Sequence, residues 1–429
     1  MNAFDMSENS EKKIGRDLFG NEKDKDFSKI ENQINKPISF DEALKDDLID
    51  DDIIKNEIVK ESTSNLGEVT AICAIYTNAY FSSIVLSEFD GVYYYLKKVA
   101  HAFHKYPQIT EENLNNELSD NEIFNIKLST LNELLEKFDI NKKTTVFVSS
   151  IGGQNVVEYH SLIANDEDQL RDKLIDVMIT PFDTLNTRVE FQVMSTSVSN
   201  EGRVFNVLAV AVDNDKFFDS YSLVTSAGID CNIMDLDIMS TINLFEFAEK
   251  PELGKVYCIL DIGYDLSSIV VYTKGSHDLY KRNLDFTYNS FRRQLSKNRD
   301  ISKDEAEDLI ANTSFYTFIT KSFETQTQEN LNKLYNVKSF IKTNLLNEIQ
   351  KTFQFYASKN SSKMPEKIFI TGIGTLIKNF DDFFGKTVDL KSDYLRISSR
   401  FKGSTEIKNR VEKESYIFCK PLGLSLRNN

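Results

Sequence analysis

The chain is poor in the residues that build metal and redox sites, and it has no excess of positive charge. It has four His and four Cys in 429 residues, and its net charge is −15. The cysteines lie far apart in sequence, at Cys73, Cys231, Cys258 and Cys419. None forms a C-x-x-C pair and the His show no H-E-x-x-H spacing, so we expect reduced, buried thiols and no metal site. Binding to a nucleic-acid backbone needs clustered Lys and Arg, so the acidic balance argues against a nucleic-acid partner.

Membrane-directed segments are also missing. The first ten residues are polar and acidic, unlike a signal peptide. Thr70–Ser87 contains no charged residue over 18 positions, which is about the minimum length of a membrane span. Polar residues run through this stretch, with Asn78 near its middle, so two buried strands joined by a short turn explain it better. We therefore expect no direct insertion into a membrane.

What the chain does have is a strongly acidic N-terminal region. Residues 1–68 hold 18 Asp and Glu against 10 Lys and Arg, which is a net charge of −8 out of −15. Few aromatic residues accompany these charges, so residues 1–66 are predicted to form an acidic flexible tail.

Within the tail, six apolar residues recur at near-helical spacing, namely Phe40, Leu44, Leu48, Ile49, Ile53 and Ile58. Ser39 followed by Glu42 is a capping-box signature at the start of this pattern. Two interpretations are open: a transient helix in a solvated tail, or a docking helix that folds on a partner.

Strand-like runs begin near Val69 and alternate with helical patterns through the rest of the chain. The first block is predicted to contain strands at Thr70–Tyr76, Tyr80–Ser87, Gly91–Ala100 and Thr144–Ser149, with a helix at Asp120–Phe138. A small α+β unit at Val156–Ile229 is predicted to contain helices at Asp166–Ile179 and Asp215–Ala227 and strands at Arg188–Met194 and Arg203–Val212. The last block is predicted to contain strands at Lys255–Ile262, Ser267–Thr273 and Lys367–Thr371, with helices over Asp285–Asn312 and Ser322–Ser358.

Two glycine-containing loops follow predicted buried strands. Leu260-Asp261-Ile262-Gly263 precedes Ser267, and Ile370-Thr371-Gly372-Ile373-Gly374 ends a later strand. A Gly between two strands lets backbone N–H groups approach a phosphate, and an Asp at a strand end can hold Mg²⁺ through water. An ordinary hairpin turn is the alternative explanation of Asp261 and Gly263.

The order of these motifs resembles the actin-like ATPase family. The D-I-G-x-x-x-S run is similar to its second phosphate loop, and the G-I-G run to its adenosine loop. Ser302 with Glu305-Ala306-Glu307 resembles a segment of PilM and FtsA. Pro181-Phe182-Asp183 with Val189–Val193, and separately Gly423–Arg427, are similar to stretches of PilM, the actin-like component of type IV pilus assembly machines.

The resemblance implies an α/β, actin-like (ribonuclease H-like) fold of two lobes with a small inserted α+β subdomain. Residues 67–155 and 405–429 would form the first lobe, residues 156–229 the inserted subdomain and residues 230–404 the second lobe. ATP with Mg²⁺ would be the ligand of the cleft. Its nucleotide-binding residues would be Asp261, Gly263, Ser267, Gly372 and Gly374.

The first phosphate loop of the family is missing from its expected place. Ala74–Ser82 lacks the Asp, the Gly and the Lys of that loop, while Thr287, Tyr288 and Ile310 stand where two Gly and a Lys are expected. Phosphoryl transfer relies on positioning and on charge neutralisation around the γ-phosphate. We therefore expect a vestigial or weak nucleotide site, no useful ATP turnover and no catalytic residue.

For function, the resemblance implies a cytoplasmic scaffold that is peripheral to the inner membrane. It would hold the short cytoplasmic N-terminal peptide of a PilN-like inner-membrane protein, and it would link pilus motor components to the machine. In the family this peptide lies between the first lobe and the inserted unit, here Val156–Val212.

Two alternatives stay open. One is a filament-forming cytoskeletal ATPase like FtsA or MreB. FtsA continues into an amphipathic membrane helix, and we expect none in the two residues that follow Arg427. The other is an active sugar-kinase-like enzyme, against which the missing first loop argues.

Overall fold

The computed structural model describes residues 70–107, 118–138, 140–153, 155–178, 186–200, 202–276, 278–319, 336–360 and 363–427. Three predictions fall wholly or partly outside these residues. They concern the acidic tail of residues 1–66, the Pro181-Phe182-Asp183 motif and the first part of the helix Ser322–Ser358.

The described strands and helices follow one another in this chain order. The strands are β1 (Thr70–Thr77), β2 (Phe81–Phe89), β3 (Tyr94–Phe103), β4 (Thr145–Ile151), β5 (Asn155–Ile163), β6 (Thr187–Ser199), β7 (Gly202–Asp213), β8 (Ile233–Leu236), β9 (Val256–Ile262), β10 (Ser267–Thr273), β11 (Leu279–Leu284), β12 (Lys367–Gly372) and β13 (Lys391–Tyr394). The helices are α1 (Asp120–Glu136), α2 (Glu167–Met178), α3 (Asn214–Ser226), α4 (Asp237–Glu249), α5 (Tyr288–Arg299), α6 (Lys303–Asn312), α7 (Asn347–Lys359), α8 (Phe380–Thr387), α9 (Thr405–Lys413) and α10 (Ser415–Leu424). A π-helical segment at Lys342–Leu346 leads into α7, and 3-10 turns lie at Phe315–Phe318 and Ile373–Leu376.

Two large sheets repeat the same plan. The first has the strand order β3-β2-β1-β4-β8, and the second has the order β11-β10-β9-β12-β13. In each sheet three antiparallel strands form a meander, and two further strands add in parallel beside the meander's first strand. The molecule therefore contains two structurally equivalent halves, each with a hairpin between its first two strands.

The uncharged stretch Thr70–Ser87 forms the two strands that the sequence predicts. Strands β1 and β2 pair in antiparallel register from Thr70 opposite Phe89 to Thr77 opposite Ser82. Among the described residues, no helix has the length and apolar character needed to cross a bilayer.

The predicted small unit has a sheet of its own, in the order β5-β7-β6. Helix α2 packs on this sheet through Leu170, Leu174 and Met178, which share a core with Phe205. Helix α3 follows in sequence, but its buried Leu223 belongs to a core of the first sheet instead.

The strand β8 also belongs to the first sheet, because it pairs in parallel with β4. It lies inside residues 230–404, which the sequence assigns to the second lobe. The division of the chain into lobes stays a prediction.

The sequence does not predict helices α4 and α10, and both are buried on nearly every side. A helix without a polar face has no 3.6-residue alternation of apolar and polar positions, so the pattern used to find helices is absent. Both helices share one core with Ile72 of the first sheet and Ile259 of the second. They therefore form the packed layer that joins the two halves.

Close approach of these two helices depends on Gly423. A Cβ atom built on Gly423 would overlap the backbone oxygen of Ser240 in α4. Only a residue without a side chain fits at this crossing.

We predict that Gly423→Ala lowers the free energy of unfolding by roughly 1–3 kcal/mol, because the added methyl group must push two packed helices apart. Gly385→Ala is the matched control, since Gly385 is also helical and a Cβ there would be 3.8 Å from its nearest neighbours. Urea unfolding followed by circular dichroism measures both variants. Equal stability of the two variants would contradict the close packing of α4 on α10.

Candidate functional site

The hairpin between β9 and β10 carries three of the predicted site residues. Asp261 is near the end of β9, Gly263 enters the turn and Ser267 begins β10. The backbone N–H of Gly263 donates to the hydroxyl of Ser267 at 3.1 Å. The carbonyl oxygens of Gly263 and Tyr264 accept backbone N–H groups at the start of α5, both at 3.0 Å. Helix α5 thus donates its first N–H groups to the turn, where a phosphate-binding helix would offer them to an anion.

The two glycines of the second loop lie against this hairpin. Gly372 has a φ of +69°, and a Cβ on it would be 2.5 Å from Oδ1 of Asp261. A Cβ on Gly374 would be 3.0 Å from the Cβ of Ile262. The structure therefore brings all five predicted residues together at one end of the second sheet. Close packing of β12 on β9 accounts for both glycines without a ligand.

In the first half, the equivalent hairpin is the turn at Asn78–Tyr80. The side-chain oxygen of Asn78 accepts the backbone N–H groups of Tyr80 at 2.7 Å and Phe81 at 2.9 Å. The hydroxyl of Tyr106 donates to the carbonyl oxygen of Ala79 at 2.7 Å. The protein's own side chains therefore hold this turn in one conformation.

Buried His104 contacts the same turn through Ala79 and Ser82. Burial lowers the pKa of His104 to about 4, although its contact with Ala79 opposes the shift. The neutral ring at pH 7 can donate from Nδ1 to the Ala79 carbonyl oxygen at 3.3 Å and accept at Nε2 from the Ser82 hydroxyl at 3.1 Å.

The two hairpins meet through Tyr80, in an arrangement that we name the tyrosine bridge. The ring of Tyr80 stacks on Tyr264, with centroids 4.4 Å apart and planes inclined by 27°. Its hydroxyl donates to the Asp265 carboxylate, and the Asn289 side-chain amide donates to both Tyr80 and Asp265. Burial, and then the Asp265 carboxylate, raise the pKa of Tyr80, so the phenol keeps its proton. The space between the hairpins is thereby spanned by protein atoms.

A second contact crosses between the halves at Lys420 of α10. Its ammonium donates to the Thr241 hydroxyl at 2.8 Å, to the Asp237 carbonyl oxygen at 3.4 Å and to the Asp261 carboxylate. Only 12% of the Lys420 side chain and 10% of the Asp261 side chain are exposed. These three acceptors match the three donors of an ammonium group. Burial alone would lower the pKa of Lys420, but Asp261 and then Asp237 raise it, so the group stays charged.

Two further ionisable groups, Asp237 and Lys281, lie near the Lys420–Asp261 pair. Burial raises the pKa of the Asp237 carboxyl group, which Lys420 only partly opposes, and its Oδ1 is buried without a described hydrogen-bond partner. Lys281 of β11 donates to the backbone and side-chain oxygens of Asn155, both at 2.8 Å. Burial, and then Lys420, lower the pKa of Lys281 to about 8. The carboxyl groups of Asp237 and Asp261 thus lie near two lysines, Lys281 and Lys420. No metal-binding cluster is found in the described part of the chain.

Sequence reasoning missed Tyr80, Asp237 and Lys420. Lys420 had a visible signal, since it is the one charged residue between Tyr416 and Leu426. An isolated lysine in an apolar segment indicates a buried partner of opposite charge. Tyr80 had no such signal, because its role depends on contacts with residues almost two hundred positions away.

We predict that Lys420→Met lowers the free energy of unfolding by roughly 3–5 kcal/mol, because it leaves Asp261 buried without its cation. The double variant Asp261→Asn/Lys420→Met should lose less than the sum of the two single variants. The exposed pair Lys386–Asp382 provides the control, and Lys386→Met should cost little. Urea denaturation measures the free energy of unfolding of each variant. A loss for Lys420→Met as small as that for Lys386→Met would rule out a buried ion pair.

A solved structure of the PilM–PilN type IV pilus biogenesis complex is similar over 83% of this chain and 98% of that chain, with a TM-score of 0.63 and 14% identity. This confirms the two-lobe, actin-like α/β fold.

Two other solved structures are similar at lower scores. The ethanolamine utilization protein EutJ from Carboxydothermus hydrogenoformans has a TM-score of 0.44 and 9% identity, over 84% of this chain and 90% of that chain. MreB5 of Spiroplasma citri bound to AMPPNP has a TM-score of 0.40 and 13% identity, over 84% and 96%. Curated protein sequences give no match.

The family model described as type IV pilus assembly protein PilM matches residues 166–429, which is more than half of the chain. The match includes the second phosphate-loop hairpin, both glycines of the later loop and helix α10. The chain therefore belongs to the PilM family of type IV pilus assembly proteins.

Proposed function

We propose that this chain is a cytoplasmic scaffold of a type IV pilus-like assembly machine, held at the inner membrane by a PilN-like protein. Its ligand is the short cytoplasmic N-terminal peptide of that protein, and it links motor components to the machine. Family membership supports this role, as does the fold shared with a PilM that was solved together with PilN.

The tyrosine bridge is the observation that favours a scaffold over an ATPase. In an actin-like ATPase the two hairpins contact the phosphates of the nucleotide from opposite sides. Here Tyr80 of one hairpin stacks on Tyr264 of the other and hydrogen-bonds Asp265. A triphosphate entering this space must first separate these groups, and Ala74–Ser82 offers it no Asp, Gly or Lys in return. Nucleotide binding is therefore weak or absent in the proposed function.

The contact of Lys420 with Asp261 disfavours the binding of Mg²⁺ in the cleft. A divalent ion at this place would need the oxygens of Asp261. That carboxylate already has a buried ammonium as its partner, and displacing the ammonium would leave a second cation in the same small space. Asp261, Gly263, Ser267, Gly372 and Gly374 are then a vestigial nucleotide site whose present role is to shape the cleft.

The junction between the inserted sheet and the first half is the proposed peptide site. The guanidinium of Arg188 in β6 lies 4.8 Å from the ring centre of Phe217 in α3. Its Nε is buried and has no described hydrogen-bond partner. Buried donors of this kind are rare and costly, and the carbonyl oxygen of a bound peptide would satisfy it.

We predict that Arg188→Ala weakens peptide capture several-fold while the fold stays intact, because it removes the guanidinium at the junction, whose Nη2 pairs with Glu190 at 3.1 Å and whose Nε has no described hydrogen-bond partner. The probe is a synthetic peptide with the cytoplasmic N-terminal sequence of the PilN homologue from the same genome, measured by calorimetry with the full chain. Arg203→Ala is the matched control, since Arg203 also lies over a phenylalanine ring, Phe205, but at the far end of β7. No binding by the unchanged chain would refute the proposed function. Equal weakening by both variants would refute the junction as the site.

A further inference from the structure

A basic groove lies on the first half of the molecule and contains no residue of the inserted sheet. It has a volume of about 300 Å³ and is formed by the edge strand β3, the end of α1 and the helix α9. Its basic residues are Lys97, Lys98, Lys137 and Arg410, its one acidic residue is Glu406, and its apolar walls include Val99, Phe138 and Ile407. We refer to these residues as the basic groove.

The positive charge of the basic groove is only partly neutralised. Lys97 pairs with Glu88 at 2.7 Å, and Arg410 pairs with Glu414 at 3.3 Å. Lys98 is exposed, as is Lys137 just after α1, and neither forms an ion pair with any described residue. The groove therefore offers two ammonium groups that have no ion pair among the described residues, beside one carboxylate, Glu406, and an apolar wall, which suits an acidic amphipathic segment.

A positive groove stands out on this molecule because the rest of it is acidic. Residues 1–68 hold 18 acidic and 10 basic residues. The remaining residues therefore hold 48 acidic and 41 basic residues, which is a net charge of −7. The overall negative charge disfavours an acidic segment elsewhere on the chain, while the groove attracts it.

The N-terminal tail of the same chain has the required chemistry. Ser39–Ile58 contains eight Asp and Glu against two Lys, together with the six apolar residues at near-helical spacing. Its apolar residues match the groove wall, and its carboxylates match Lys98 and Lys137.

The chain is also long enough for the tail to reach the groove. Twelve residues from Ile58 to Thr70 span at most about 40 Å. Thr70 pairs with Phe89, and Phe89 pairs with Tyr94 at the start of β3, three residues before the basic groove. The linker thereby holds the segment at a high effective concentration near this surface, which favours binding within one molecule.

We propose that Ser39–Ile58 docks into the basic groove of its own chain, with its carboxylates on Lys98 and Lys137. The basic groove shares no residue with the proposed peptide junction at Arg188 and Phe217, so the two contacts can be tested separately. Because charge attraction contributes, added salt weakens it.

The absence of Trp from the chain allows a direct test. In full-length Phe40→Trp protein, all tryptophan fluorescence comes from the tail. We expect blue-shifted emission and shielding from acrylamide, both independent of protein concentration. Adding Lys98→Glu and Lys137→Glu should expose the tryptophan, while Lys363→Glu and Lys391→Glu, at exposed sites of the second half, should not.

Charge exchange completes the test. Asp46→Lys and Asp50→Lys in the tail should restore shielding to the Lys98→Glu/Lys137→Glu protein. Tryptophan that is equally exposed in every variant would overturn the proposal, as would shielding that survives the two groove substitutions. Shielding that disappears on dilution would show that the tail docks on a second copy instead, and would also overturn it.

Discussion

The ammonium of Lys420 is the contact on which the arrangement of the two halves depends. It belongs to α10, which packs on α4, and it reaches Asp261 at the end of the second sheet. Few cations are buried so fully without a matched set of acceptors, and here Thr241 and the Asp237 carbonyl complete the set. A movement that separated Asp261 from Lys420 would break the ion pair between α10 and the second sheet. In the proposed function, this ion pair therefore opposes an opening of the cleft.

The repeated plan of the two sheets explains how a cleft arises at this place. Each half presents the hairpin between its first two strands towards the other half, and α4 and α10 form the floor between them. In this chain the hairpins contact each other through Tyr80 and Tyr264. In the proposed function, the actin-like shape is kept while these side chains occupy the space for phosphate. A scaffold needs the shape, because the junctions between its units are the surfaces that partners bind.

Much of the fold could be predicted from the sequence, because amphipathic helices and half-buried strands leave a periodic signal. The two strands of Thr70–Ser87 and the helix predicted at Asp120–Phe138, which the structure has at Asp120–Glu136, leave such a signal. Helices α4 and α10 do not, since helices that are buried on nearly every side lose that signal. The composition of Ala74–Ser82 shows that the Asp, Gly and Lys of the expected first phosphate loop are absent. It does not show which contacts this segment makes instead. Tyr80 meets Tyr264 and Asp265 only after the chain folds, so no local pattern could reveal the bridge.

The central claim is that the cleft is closed to nucleotide by the protein's own groups. The most direct measurement is calorimetric titration of ATP and Mg²⁺ into the full-length chain, with phosphate release measured on the same samples. The account predicts no saturable binding in the micromolar range and the same background release from the unchanged chain and from Asp261→Ala. Micromolar binding with phosphate release that Asp261→Ala abolishes would contradict it.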